Sequence, residues 1–227
     1  MFYREGTTDE KVITEIFEKK AYRKPSIGFE VERADVWLDL GAHIGCFAKF
    51  AAERGAAKVY SYEPEPSNFE LLSKNAEGIP VEVFNSAVAW KGGRAVFNVA
   101  PNTWRHSLSR KYKYGASSID VEVKAIDEIL ATHPDVDCIK MDIEGAEIEI
   151  LQEKREWPGV RKLVFEYSFT QEREMNKFFA IADNLKNAFD MVSYPKSYHN
   201  QKHLGAPGYW GGFVDDVIFC INYEEPI

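Results

Sequence analysis

Cysteine is scarce: Cys46, Cys138 and Cys220 are the only three in 227 residues. They are far apart and each lies in an apolar segment, which argues against a disulfide framework and reads as reduced core thiols. No apolar run approaches the ~20 residues that span a bilayer, and Met1 to Glu10 lacks the apolar centre of a signal peptide. The expectation is therefore a soluble, cytoplasmic chain with no membrane span. Long basic runs are missing too. With 28 Lys and Arg against 36 Asp and Glu, the net charge is −8, and without clustered cations a nucleic-acid backbone is a poor partner. Internal repeats, low-complexity tracts and visible boundaries are also lacking, so residues 1–227 are expected to form one α/β domain with a sizeable core.

What is present is an alternation of apolar runs and helical spacings. Thr7-Thr8-Asp9-Glu10 can cap a helix carrying Val12, Ile13, Ile16, Phe17 and Ala21 on one stripe, with Pro25 beyond its end. This lead-in, within residues 1–30, is expected to lie over the binding pocket. Strands are predicted at about 35–40, 58–62 and 80–87, with helices at about 45–54 and 66–76 between them, an order that implies a parallel sheet. Residues 94–99 and 119–124 alternate apolar and polar side chains and read as a half-exposed antiparallel pair, within an insert spanning 89–125. Further strands are predicted at 136–141, 162–167, 189–194 and 214–221, with helices at 144–154 and 171–187. The aromatic stretch 195–213 is long for a hairpin connection, a length that usually signals function or disorder.

Three short motifs sit at predicted strand ends. Asp39-Leu40-Gly41-Ala42-His43-Ile44-Gly45 forms a strand, a glycine turn and a helix start, where Gly41 and Gly45 permit close approach and the helix N-terminus offers unpaired N–H groups. Glu63, followed by Pro64, stands at the end of the next strand, where an acid can accept hydrogen bonds from both hydroxyls of a ribose. A nicotinamide fold would want G-x-G-x-x-G; here the turn is D-x-G-x-x-x-G and His43 adds bulk, which disfavours that cofactor. The third motif is Lys140-Met141-Asp142-Ile143-Glu144-Gly145-Ala146-Glu147.

Together with Glu65-Pro66, Asn68, Leu71-Leu72 and Ala125 to Leu130, these motifs resemble the FkbM family of class I S-adenosylmethionine-dependent methyltransferases. The resemblance covers about Thr8 to Ser168, and Lys140 to Glu147 is its most specific block. It implies a Rossmann-like α/β sandwich with a mostly parallel seven-stranded sheet, an antiparallel last strand and an inserted β pair. It also implies S-adenosylmethionine as cofactor and O-methylation of a hydroxyl, on a sugar of a glycan or glycosylated metabolite. A polyketide or other small metabolite is the enzymatic alternative. A cofactor-binding module without catalysis is the alternative of a different class.

The expected cofactor ligands are Asp39, Gly41, Ala42, His43 and Gly45 around the methionine moiety and Glu63 with Pro64 at the ribose. Asn68 stands nearby, Ser86-Ala87 beside the adenine, and Asp142 in the crevice. His43 either binds the cofactor carboxylate or faces solvent. Asp142, Glu166 and His106 are candidate proton acceptors, since a hydroxyl is a weak acid and its proton should leave as the methyl arrives. Lys140 either polarises a substrate oxygen or neutralises the neighbouring acids. Glu166 is alternatively a substrate ligand, or a structural partner of Lys140 or Arg161. Glu144 and Glu147 are placed on one helical face, as substrate contacts or as helix-capping charge. Substrate contacts are further expected from Trp104, Arg105 and His106, where a Trp stacks on a sugar face and an Arg grips an anion, and from Tyr167. A divalent metal held by Asp142 and Glu144 would lower the hydroxyl pKa instead. His199 and His203 share a spacing of four, but their loop-like surroundings argue against a metal pair.

Overall fold

The computed structural model describes residues 1–99, 117–169, 172–193 and 214–223. Helix α1 (Asp9–Ile13) runs into a π-helical turn (Thr14–Glu18), and a 3-10 turn (Pro25–Ile27) precedes β1 (Val36–Leu40). The chain continues with α2 (Cys46–Glu53), β2 (Lys58–Tyr62), α3 (Pro66–Asn75), β3 (Val81–Phe84), β4 (Ala87–Ala89), β5 (Gly93–Val99) and β6 (Ser117–Ala125). It closes with α4 (Ile126–Thr132), β7 (Cys138–Met141), α5 (Glu147–Glu153), β8 (Lys162–Phe169), α6 (Glu172–Ala188), β9 (Met191–Ser193) and β10 (Val214–Ile221).

Seven strands form one sheet in the order β3-β2-β1-β7-β8-β10-β9. The pairings from β3 to β8 are parallel, while β10 runs antiparallel to both β8 and β9. This is the mostly parallel Rossmann-like sheet that the resemblance implies, with the expected antiparallel last strand. The order reverses between β1 and β7, and a crevice opens there at the carboxyl ends of the strands, where open α/β sheets bind ligands.

Strand alternation sends neighbouring residues to opposite layers. Leu38, Leu40, Ile139, Met141, Leu163, Phe165 and Tyr167 pack on one face against Ile150 and Leu151 of α5 and Phe178, Ile181 and Leu185 of α6. Trp37, Cys138 and Val164 pack on the other, against Phe47, Phe50 and Ala51 of α2 and against Ile16 and Tyr22 of the lead-in. Each such side chain, fully buried, contributes about 1.5–3 kcal/mol. The lead-in thus closes one layer of the sandwich, and the charged side chains at the carboxyl ends of β1, β7 and β8 lie beneath it. All three cysteines are buried free thiols.

The amino ends of the strands carry a separate ion network. Arg161 Nη2 meets Asp35 at 2.9 Å and Asp137 at 2.8 Å, and Lys162 Nζ meets Asp35 at 3.2 Å and Glu32 at 2.5 Å. Arg161 is therefore committed at the end of β8 away from Glu166.

Four expectations change here. The predicted strand 80–87 breaks at Asn85-Ser86: β3 belongs to the main sheet, whereas β4 enters a second, three-stranded sheet of order β4-β6-β5. The Asn85 amide turns the chain by donating to the carbonyls of Glu63 at 2.8 Å and Pro64 at 3.2 Å. The inserted pair β5–β6 is antiparallel as expected but gains parallel β4 as a third strand, around Ala87, Phe97, Val121 and Val123. Helix α5 begins at Glu147 rather than Glu144, because Glu144 (φ +54°) and Gly145 (φ +110°) adopt left-handed backbone that a helix does not continue through. At the other end of the chain, Thr8 makes no side-chain cap to α1; the Thr7 hydroxyl accepts from Asp9 N–H at 3.2 Å instead.

Candidate functional site

A cavity of about 590 Å³ lies over the carboxyl ends of β1, β2, β7 and β8. It falls within the ~300–1,000 Å³ common for small-molecule sites. Gly41, Ala42 and His43 line it from the β1 turn, Glu63, Pro64 and Asn68 from the β2 turn, and Ser86 and Ala87 from the β3–β4 break. Lys140, Asp142, Glu144 and Glu166 line the same space. Val12, Glu15, Ile16, Lys19, Ala21 and Tyr22 of the lead-in form its cover.

Glu63 is built into the floor. One carboxylate oxygen accepts the His43 N–H at 2.9 Å, and the other accepts the Glu65 N–H at 2.9 Å and the Asn68 amide at 3.4 Å. Burial still dominates those bonds and pushes its pKa from 4.5 up to about 7. Nearby, the Ser86 hydroxyl is buried with no hydrogen-bond partner among the described residues. A buried hydroxyl without a partner and a desolvated carboxyl both call for a polar ligand, and the hydroxyls and ring nitrogens of an adenosine fit that need.

Behind Glu63 the amino terminus is strapped down. Arg4 donates to both carboxylate oxygens of fully buried Asp9 at 2.8 and 2.9 Å and to Asn68 Oδ1 at 2.6 Å. His43 Nε2 lies 3.5 Å from the same Asp9. Burial acts to raise the Asp9 pKa, but the Arg4 hydrogen bonds, with the charges of His43 and Arg4, hold it below its usual value. His43 therefore faces Asp9 rather than open solvent, in a left-handed conformation (φ +52°).

Under the acid side, Lys140 is almost completely buried. Its ammonium donates to Gly41 O at 2.8 Å and sits 3.2 Å from Asp39 and 3.8 Å from Asp142. Burial alone would lower its pKa, but Asp39 and Asp142 outweigh this and raise it, so Lys140 stays a cation. Asp39 is raised by the same burial against the opposing pull of Lys140. Of the two roles expected for Lys140, neutralising the neighbouring acids is the one these contacts describe. Tyr22 O–H donates to Asp142 Oδ2 at 2.9 Å. Burial, then the nearby carboxylates, push the Tyr22 pKa well above 10, which keeps it a neutral donor. Arg4 and Tyr22 carried no signal in the sequence, and Asp9 only that of a helix cap, since their partners here are brought to them by the fold.

Several expected residues stand elsewhere. Asp39 is fully buried behind the glycine turn, paired with Lys140, and does not line the cavity. Gly41 is a glycine for a different reason than cofactor clearance: a Cβ there would fall 1.8 Å from the Asp142 carbonyl oxygen. Gly45 packs on Leu72, 2.8 Å from where its Cβ would lie, and leaves the cavity to its neighbours. Tyr167 points away from substrate space, because one step along β8 reverses the face; it packs at 5.0 Å on Phe178 while Glu166 lines the cavity. Glu147 is buried and accepts from Gly145 N–H at 2.8 Å, tying its own turn, and it shares no helical face with Glu144. Trp104, Arg105 and His106, and also His199 and His203, lie outside the described residues.

Among the described residues, the one group of three acid or thiol donors close enough for a metal is Asp35, Asp137 and Cys138, at the opposite end of the sheet. Its two carboxylates are held by Arg161. At the crevice, cationic Lys140 beside Asp142 works against a second cation between Asp142 and Glu144.

The sequence profile of the methyltransferase FkbM domain matches residues 39–190. Two curated relatives align: methyltransferase sdnD of Sordaria araneosa, 26% identical over 167 residues, and hexuronic acid methyltransferase AglP of Haloferax volcanii, 27% identical over 129 residues. The alignments cover 57% and 54% of this chain, and 64% and 51% of those proteins. Among solved structures, the precorrin-6y C5,15-methyltransferase of Geobacter metallireducens superposes with a TM-score of 0.47 at 13% identity, covering 98% of this chain and 94% of that one.

Proposed function

Because this chain belongs to the FkbM methyltransferase domain family, we propose that it uses S-adenosylmethionine to methylate a hydroxyl on a sugar of a glycan or glycosylated metabolite. The observation that carries the reading is one cavity lined by the Gly41–His43 turn, by Glu63 and by the acids Asp142 and Glu166. The relative named for hexuronic acid methylation supports the sugar.

When bound, S-adenosylmethionine supplies a sulfonium-activated methyl group to a nucleophilic oxygen. Glu63 would accept hydrogen bonds from the ribose hydroxyls as a carboxylate, Ser86 would hold the adenine, and the Gly41–His43 turn would hold the methionine end. Asp142 and Glu166 stand where a hydroxyl proton must go, and such a proton acceptor contributes typically 10²–10⁴-fold. Lys140 keeps the Asp39–Asp142 pair from repelling and fixes the turn through Gly41 O. The lead-in cover excludes water, which strengthens every charge interaction beneath it.

Calorimetry with S-adenosylhomocysteine, then a methyl-transfer screen over sugars and small hydroxylated metabolites, tests the proposal. Micromolar binding with transfer to a sugar hydroxyl is expected. Transfer only to non-sugar metabolites would move the substrate class, and absence of binding would remove the activity.

A further inference from the structure

Tyr22 lies in the lead-in, outside the residues matched by the family profile, yet its hydroxyl donates to Asp142 at 2.9 Å, and both residues line the cavity. Its ring is locked edge-on against Phe47 with centroids 5.8 Å apart, and the Lys140 ammonium lies 5.5 Å from the ring centroid. The bond and the nearer cation both fall on one oxygen of the Asp142 carboxylate, Oδ2. No described residue hydrogen-bonds Oδ1.

From this asymmetry we propose that Tyr22 is a positioning residue that fixes the Asp142 carboxylate through Oδ2. Oδ1 is thereby held toward the acceptor hydroxyl, which makes Asp142, and not Glu166, the proton acceptor. The inference rests on the methyltransferase reading above. In the step, the acceptor oxygen forms its bond to the methyl carbon as the methyl–sulfur bond breaks, and the hydroxyl proton passes to Asp142 Oδ1. Tyr22 keeps its own proton throughout. The lead-in is then part of the reaction machinery and not only a cover.

The consequence is non-additivity. Tyr22→Phe keeps the ring contact with Phe47 and removes only the hydroxyl, so kcat should fall about tenfold, the worth of one hydrogen bond to a charged group, with KM for S-adenosylmethionine within about twofold. In an Asp142→Asn background the same change should cost almost nothing further, because residues acting as one unit do not add. A readout independent of turnover is the ¹³C resonance of the Tyr22 ring carbon bearing the hydroxyl, in tyrosine-labelled protein, which should move in Asp142→Asn. S-adenosylhomocysteine affinity in Tyr22→Phe, by calorimetry, should stay within about threefold. Additive losses in the two variants, wild-type turnover in Tyr22→Phe, or an unmoved resonance would each overturn the proposal. If Tyr22→Phe fails to fold, 3-fluorotyrosine at position 22 keeps the ring and the bond; unchanged turnover with this more acidic donor overturns the proposal, and altered kcat at constant KM supports it. Failure of wild-type protein to bind S-adenosylmethionine would instead refute the activity itself, while the resonance result still reports on the Tyr22–Asp142 bond.

Discussion

Replacing Glu63 by glutamine separates what this residue does for binding from what it costs the fold. Its carboxyl has a pKa of about 7 in the folded protein against 4.5 ordinarily, and only 5% of the residue is exposed. The folded state therefore holds this proton more tightly than the unfolded chain between those two values. Stability contributed at this site falls as pH rises through that window, then levels off above it. Between about pH 5.5 and pH 8.5 the loss comes to about 2 kcal/mol at ~1.4 kcal/mol per pH unit of proton linkage. Glutamine cannot ionise, so Glu63→Gln should lack this loss. It has a single acceptor oxygen for the N–H groups of His43 and Glu65, so one bond is forfeited at about 1–3 kcal/mol. That penalty is the same at both pH values and cancels in the comparison.

Thermal unfolding of ligand-free wild type and variant at about pH 5.5 and pH 8.5 should thus show the variant gaining roughly 4–8 °C relative to wild type on going to the higher pH. The variant should bind S-adenosylhomocysteine at least tenfold more weakly, since charged hydrogen bonds to the ribose become neutral ones. Parallel pH profiles for the two proteins would show that Glu63 is not desolvated as described. Unchanged affinity would remove it from the cofactor site.

Gly41→Ala should lower stability by about 2–5 kcal/mol, combining left-handed strain with a Cβ driven into the Asp142 carbonyl; an unchanged melting temperature would contradict the packing of the β1 turn on the β7 end. Lys140→Met leaves buried Asp39 without a cation and should cost about 3–5 kcal/mol in denaturant titrations, with most of it regained in the double variant Lys140→Met, Asp39→Leu. Asp142→Asn should lose roughly 10²–10⁴ in turnover, with S-adenosylhomocysteine affinity changing far less, and Glu166→Gln should lose much less. Wild-type rates in both would place the acceptor elsewhere.

Several strands were legible from local pattern: β2 and β10 fall where their patterns put them, and β1 within a residue. The break at Asn85-Ser86 was not, because the bonds that turn the chain there reach back to Glu63 and Pro64 and leave no local mark. Glycine at position 41 was legible as a turn, but its reason was hidden, since the oxygen that forbids a side chain belongs to Asp142 on another strand. Glu63, Lys140, Asp142 and Glu166 were readable because each stands at a strand end, where the topology already aims at the crevice. Tyr22 is separated from Asp142 by 120 residues and sits in a turn with no periodicity, so only the folded chain brings it to the site. Tyr167 illustrates the converse, in that choosing the face of β8 required knowing which layer α6 would fill.

The parallel pairing of β4 with β6 sets Ala89 opposite Ala125 in register. The chain leaves for the insert and returns from it at two facing positions on adjacent strands, so everything between them is a cassette with its ends already together. Exchange of residues 90–124 for the matching segment of a relative requires two junctions a strand's width apart and no change in the parallel sheet. Such an exchange would change what the insert presents while leaving in place the layer that carries Glu63 and Asp142.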